Sequence, residues 1–306
     1  MIQKCCMSAI KKLPVIVVFF CFQVTIAQSK SIIPFKLTDY NNLSIKAILN
    51  NTDTVQLMFH TAANAVTLTE DAVKKLKSIH FTDYTDSIKS WGGQSNSSRL
   101  SKSNTLQIGD MIWKEIPIWE NVNSGQFTDG KFGIDLFKGK VIEIDFDKSV
   151  MVIYNAKPRK MKKYQKIKLF EEDDELFIEA ACKTNAGIFT NKFLLHSGYA
   201  GALLFDDKFA KETKINESLK VIGEKKLSDS YGNVLISKQV ILPGFSIEGL
   251  HLSDVPAGFF EGALGRQKIS VLGGDILKRF NIIIDAKREF IYLKPNSIMS
   301  VGYRKM

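Results

Sequence analysis

Two histidines stand in matching settings. Leu57-Met-Phe-His60-Thr61 and Leu194-Leu-His196-Ser197 each carry an apolar run into a histidine that a hydroxyl residue follows. An imidazole changes charge near physiological pH, so a neutral ring is a base and an imidazolium is an acid. Brought together, two rings would form an acid–base pair with at least one member neutral near pH 7, because like charges penalise the doubly protonated state. Two neutral rings would also offer two nitrogen ligands to a metal or small ligand. A stable zinc site normally takes three or four protein ligands, and the other histidines, His80 and His251, lie in different parts of the chain. No metal and no cofactor is expected.

The elements that must position these residues repeat. Before His60 come an extended stretch Ile33 to Tyr40, then Leu43 to Leu49, a turn at Asn50 to Asp53, and Val55 to Phe59. Before His196 come Lys166 to Phe170, an acidic turn, Leu176 to Cys182, a turn at Asn185 to Gly187, and Ile188 to Leu195. Alternating apolar residues between Asn, Asp and Gly clusters predict strands and hairpins. Downstream, Val66 to Leu68 precedes Glu70 to Leu76, which has helical spacing, and Ala202 to Phe205 precedes Asp206 to Lys211. Each half closes alike. Phe132-Gly-Ile-Asp-Leu-Phe137 leads to strands at Val141 to Asp145 and Met151 to Tyr154, and Leu272-Gly-Gly-Asp-Ile-Leu277 leads to Ile282 to Asp285 and Phe290 to Leu293. The order of features predicts a mostly β, internally duplicated chain.

The first 27 residues read as a secretory signal peptide: Lys4, Lys11 and Lys12, an apolar run from Val15 to Phe22, then Thr25-Ile-Ala27. That run is too short to span a bilayer, which needs about 20 apolar residues. The expected organisation is signal peptide 1–27, N-terminal lobe 28–156, basic linker 157–165 and C-terminal lobe 166–306, with the mature protein periplasmic or secreted and without a transmembrane segment. The signal holds three lysines and no acidic residue, so its removal takes the net charge from +10 to +7. Most of that charge is scattered lysine; the densest patch, Lys157-Pro-Arg-Lys-Met-Lys-Lys163, reads as a solvated linker, and nothing resembles a nucleic-acid module. Cys5, Cys6 and Cys21 leave with the signal. Cys182 alone remains, read as a small apolar strand residue, so no intramolecular disulfide is possible.

With these residues in view, the chain resembles the pepsin and retropepsin clan of aspartic proteases, particularly its bacterial exported members. The resemblance covers nearly all of the mature chain, in two copies. Each family lobe runs an apolar strand into Asp-Thr/Ser-Gly, continues through a flap hairpin, and closes with an apolar-apolar-Gly segment. Here His60-Thr61-Ala62 and His196-Ser197-Gly198 occupy the two active-site loops, and Phe132-Gly133 and Leu272-Gly273 match the closing segments. Trp91-Gly92-Gly93 and Tyr231-Gly232-Asn233 fall where flap tips belong. The resemblance implies two β-barrel lobes around an interlobe cleft, with the hydroxyls of Thr61 and Ser197 locking the loops across the pseudo-twofold axis. It also implies that His60 and His196 replace both catalytic aspartates. Ala62 departs from the family's glycine, whereas Gly198 keeps it.

The family mechanism uses two carboxyl groups that share one proton. Two imidazoles remove that negative charge, and each ring nitrogen offers one bonding direction where a carboxylate offers several. Asp135, Asp145, Asp275 and Asp285 fall where the resemblance implies structural residues, and Asp206 and Asp207 are expected to face away, so none is a surrogate acid. The leading reading is a pseudoprotease that binds a peptide or another ligand in the cleft, with Trp91 and Tyr231 placed to stack on an extended chain. A His60/His196 hydrolase and a metal or small-ligand site at the paired histidines stand as alternatives. A chain that already carries both lobes has no need to dimerise, so a monomer is expected.

Overall fold

The computed structural model describes residues 30–89, 95–260 and 267–304. The expected signal peptide and the expected first flap tip, Trp91-Gly92-Gly93, therefore lie outside the described residues. In chain order the strands are β1 (Lys30–Pro34), β2 (Lys36–Leu37), β3 (Leu43–Leu49), β4 (Asp53–His60), β5 (Val66–Thr69), β6 (Asp83–Lys89), β7 (Ser95–Ile108), β8 (Met111–Asn121) and β9 (Gly130–Gly133). Then follow β10 (Val141–Asp145), β11 (Val150–Tyr154), β12 (Gln165–Lys168), β13 (Phe170–Glu172), β14 (Glu175–Thr184), β15 (Gly187–His196) and β16 (Leu203–Leu204). The rest are β17 (Gly223–Ser228), β18 (Val234–Ile247), β19 (Leu250–Phe259), β20 (Ser270–Gly273), β21 (Phe280–Ile284) and β22 (Phe290–Pro295).

These strands form two eight-stranded sheets of one topology. The first runs β2-β3-β4-β9-β5-β8-β7-β6 and the second β13-β14-β15-β20-β16-β19-β18-β17, with matching extra pairings β3–β7 and β14–β18. Both sheets thus set their strands in the same relative order. Local chemistry explains the hairpins. Asn50 and Asn51 both take positive φ between β3 and β4, as do Asp173 and Asp174 between β13 and β14. Asn and Asp tolerate that region, which type I′ hairpin turns require at both central positions.

Along β3 the fourth residue, Lys46, is exposed while the apolar residues around it pack inward. Phe59, Phe132 and Phe137 are fully buried in the first lobe, as are Phe193, Phe205 and Phe245 in the second. Cys182 is fully buried in β14, as a small apolar residue would be. The stretch Glu70 to Leu76 is helical only over Glu70–Val73; beyond it, Leu76 N–H reaches back just to Val73 O. Ala72 is the one residue this turn buries, so little packing supports a longer helix.

A third sheet joins the halves, in the order β1-β11-β10-β21-β22-β12. Its central seam is the antiparallel pair β10–β21, with Ile142 opposite Ile284 and Ile144 opposite Ile282. Residues 157–165, expected as a linker, carry a 3-10 turn Arg159–Lys163 that buries Met161. Lys160 Nζ there lies 2.5 Å from the buried Glu143 carboxylate, which also accepts a 2.6 Å hydrogen bond from Tyr154. Among the described residues no helix is long and apolar enough to cross a membrane.

Candidate functional site

β4 and β15 carry His60 and His196 to a common point. Each strand lies parallel to its closing strand, with His60 opposite Gly133 on β9 and His196 opposite Gly273 on β20. Both glycines are sterically required. A Cβ on Gly133 would fall 1.7 Å from Ala63 O, and one on Gly273 would fall 2.2 Å from Gly201 O.

The two loops then grip each other through buried, reciprocal hydrogen bonds. Thr61 Oγ1 donates to Leu195 O at 2.5 Å and accepts from Ser197 N–H at 3.0 Å. Ser197 Oγ donates to Phe59 O at 2.8 Å and accepts from Thr61 N–H at 3.0 Å. Each hydroxyl thereby satisfies one buried carbonyl and one buried amide of the opposite loop, groups that would otherwise be costly to bury.

Between the loops, the rings of His60 and His196 meet edge to face, with centroids 4.5 Å apart and planes at 62°. Ala62 N–H donates to His60 Nδ1 at 3.1 Å. That nitrogen must therefore hold a lone pair, and the neutral ring carries its proton on Nε2. His60 Nδ1 is thus committed to its own loop, and what remains on Nε2 is a donor. His196 is half-buried, yet its Nδ1 is sealed from solvent and has no hydrogen-bond partner among the described residues. Burial, followed by the neighbouring His196, holds the pKa of His60 well below the usual imidazole range. Burial, followed by the charge of Lys131, lowers His196 to about 4. Both rings are neutral at physiological pH, and the shared negative charge of a carboxyl pair is absent.

Gly198 is held by His60 itself. A Cβ there would lie 2.4 Å from Cδ2 and 2.5 Å from Nε2 of the His60 ring. The loops hold matching places in their sheets but are not interchangeable, since position 62 does carry a methyl group.

The cleft opens on both sides of the pair. A cavity of about 740 Å³ on the first-lobe side is lined by Met58, His60, Trp119, Lys131, His196 and Tyr231, among others. A second, of about 690 Å³, lies towards the second lobe beside Leu194, His196, Tyr199, Leu204 and Val271. The β17–β18 hairpin tip reaches across to the first lobe. There Asn123 N–H donates to Ser230 O at 3.0 Å, and Lys131 Nζ donates to Ser230 Oγ at 2.8 Å. Gly232, at φ +82°, closes the tip, and Asp229 Oδ1 accepts from the N–H groups of Tyr231 and Asn233.

The six aspartates set aside as surrogate acids line neither cavity around the pair. Asp206 caps the helix Asp207–Glu212, Asp275 accepts the N–H of Arg304, and Asp135 lines a separate cavity with Arg288. His80 and His251 are exposed and line neither cavity. Among the described residues no three His, Cys, Asp or Glu side chains come together as a metal site.

Sequence reasoning missed Lys131 and Trp119. The signal for Lys131 was present: the closing segments read Lys131-Phe-Gly133 and Val271-Leu-Gly273, a charge in one half where the other is apolar. Burial lowers the Lys131 pKa to about 8, with the Asp229 charge opposing the shift.

No protein-family model matches this chain. No curated protein matches it either. Among solved structures it is similar to an aspartic proteinase from Irpex lacteus, with a TM-score of 0.60 at 12% identity, over 90% of this chain and 100% of that one. The strand order, the paired loops and this likeness agree on one conclusion: the chain has the two-lobed, mostly β fold of a pepsin-like aspartic proteinase.

Proposed function

We propose that this protein is an exported, monomeric pseudoprotease, a duplicated chain whose interlobe cleft holds an extended polypeptide segment without cleaving it. The observation that carries the reading is the contrast at the pseudo-twofold axis. The hydroxyl grip of Thr61 and Ser197 is complete, while the two positions it supports hold neutral imidazoles packed against each other. Hydrolysis of a peptide bond by a paired dyad needs one group to take a proton from water and another to give one to the carbonyl oxygen. His60 is poorly suited to either role: Nδ1 is occupied by Ala62 N–H, and its depressed pKa disfavours the imidazolium. The cleft, by contrast, has cavities on both sides of the pair, lined in part by Trp119, Tyr199 and Tyr231 and reached by the β17–β18 hairpin tip, features that suit an extended chain.

The test is incubation of residues 28–306 with a diverse peptide mixture from pH 3 to 8, read by mass spectrometry beside a His60→Ala/His196→Ala variant. Neither protein is expected to cleave, while peptides should bind the first and protect the cleft in hydrogen exchange. Cleavage by the first protein and not by the variant would establish a hydrolase built on the histidine pair. Detection of chains beginning near Gln28 outside the cytoplasm checks export.

A further inference from the structure

The halves share one strand order, so each cleft residue has a counterpart, and one set of counterparts differs in kind. In the second lobe Val271 on β20 lies between Leu194 on β15 and Leu204 on β16, all apolar. At the corresponding places in the first lobe, Lys131 on β9 lies between Met58 on β4 and Thr67 on β5. Neighbours in register share a face of the sheet, and here that face is the cleft wall.

We propose that the first-lobe arm of the cleft is a carboxylate subsite centred on Lys131, so that the ligand carries an anionic carboxylate there and an apolar group in the second-lobe arm. This rests on the reading of the cleft as a polypeptide-binding site and names the chemistry that it selects.

A second observation points the same way. Thr67 Oγ1, Asn121 Oδ1, Ser124 Oγ and His196 Nδ1 are sealed from solvent and lack a hydrogen-bond partner among the described residues, and all four residues line this one cavity. Leaving such groups unpaired typically costs about 1–3 kcal/mol each; the hydroxyls of Thr67 and Ser124 can turn to donate to a carboxylate, whereas Asn121 Oδ1 only accepts and is no partner for one. An ammonium has three N–H groups, of which Ser230 takes one. With a pKa of about 8, Lys131 remains cationic at neutral pH. The carboxylate that lines this cavity, Asp229, is already engaged by Tyr231 N–H and by both the amide N–H and Nδ2 of Asn233. The second-lobe cavity offers Leu194, Leu204, Leu227 and Val271 to an apolar group.

The experiment compares acetylated, amidated peptides that differ only by Glu or Gln, and Gln peptides with a free or an amidated C-terminus. Each is titrated into residues 28–306 and into the Lys131→Met variant. Butyrate is titrated alongside, followed by the assigned imidazole resonances of His60 and His196. One acidic form should bind at least about tenfold tighter than its neutral partner, as charge-assisted hydrogen bonds in a shielded site imply, and Lys131→Met should abolish the preference. Which form shows it separates a side-chain carboxylate from a chain end. Peptides that bind with no acidic preference would overturn the subsite and leave the proposed function intact. Butyrate shifts lost in Lys131→Met, with no peptide bound, would support the subsite and overturn the polypeptide reading. If neither butyrate nor any acidic peptide has an effect on the wild-type protein, the subsite is wrong, whatever the variant does.

Discussion

An imidazole at the end of β4 or β15 is a different object from an imidazole in water. His60 is shielded by the second loop and by the other ring, and the charged form loses most of its hydration there. The consequence for stability has a definite sign. Both folded pKa values lie below the ordinary imidazole value of 6.5, that of His196 at about 4. Above about pH 6.5 the rings are neutral in the folded and unfolded chain alike, and they add no pH dependence. As pH falls below that value the unfolded chain takes up protons that the fold refuses, so stability drops. The loss continues until the folded pKa is reached, near pH 4 for His196. Each refused proton costs about 1.4 kcal/mol per pH unit within that window. Denaturant unfolding from pH 8 to 4 is therefore expected to show a steeper acid loss for the wild type than for His60→Asn/His196→Asn. Parallel profiles would mean that the rings titrate as they do in the unfolded chain and that the pair is not shielded.

At the scale of the elements, the loops after β4 and β15 occupy matching places in their sheets with unequal freedom. The loop after β15 passes so close to the His60 ring that position 198 has no room for a methyl group, and His60 is itself packed in place. Gly198→Ala must displace the His60 ring or shift the loop against the Thr61–Ser197 grip. Such overpacking typically costs about 1–3 kcal/mol. Ala62→Gly, at the equivalent place, is expected to cost no more than about 1 kcal/mol, the usual backbone-entropy penalty of glycine. Equal losses for the two substitutions in chemical denaturation would refute the asymmetry.

The same elements show what could be read in the sequence and what could not. β3, β4, β14 and β15, the turns between them and the loop residues Thr61, Ser197 and Gly198 were legible because periodicity and turn chemistry are local properties. So was the convergence of His60 and His196, since the repeat fixed both positions in their loops. Lys131 entered the cleft through the parallel pairing of β4 with β9, a contact between segments far apart in sequence. No local pattern marks such a pairing, although the charge of Lys131 against the apolar Val271 of the other closing segment did set the position apart. Trp119 was hidden for the same reason, in a strand whose partners are β5 and β7.

For the whole molecule the decisive element is the sheet that belongs to neither half alone. β10 and β11 come from the first half and β21 and β22 from the second, and they share one hydrogen-bonded ladder. Asn281, at the start of β21, accepts the Phe146 N–H at 2.9 Å and donates to Asp147 at 2.7 Å, both in the first half. Lys157 and Lys160 lean back on Asp285 and Glu143, so even the connecting segment is tied to this sheet. Opening either lobe alone would expose the β10–β21 seam, whose Ile142, Ile283 and Ile284 are almost wholly buried. Two lobes coupled in this way should unfold as one unit, with a calorimetric enthalpy equal to the van't Hoff enthalpy. Ile283→Ala, at the middle of the seam, is then expected to lower the stability of that single transition by about 2–5 kcal/mol. Scanning calorimetry of the wild type and the variant decides it. A second resolved transition in the wild type, or a variant in which only part of the heat absorption moves, would show that the lobes melt independently and that the shared sheet is a contact rather than a common core.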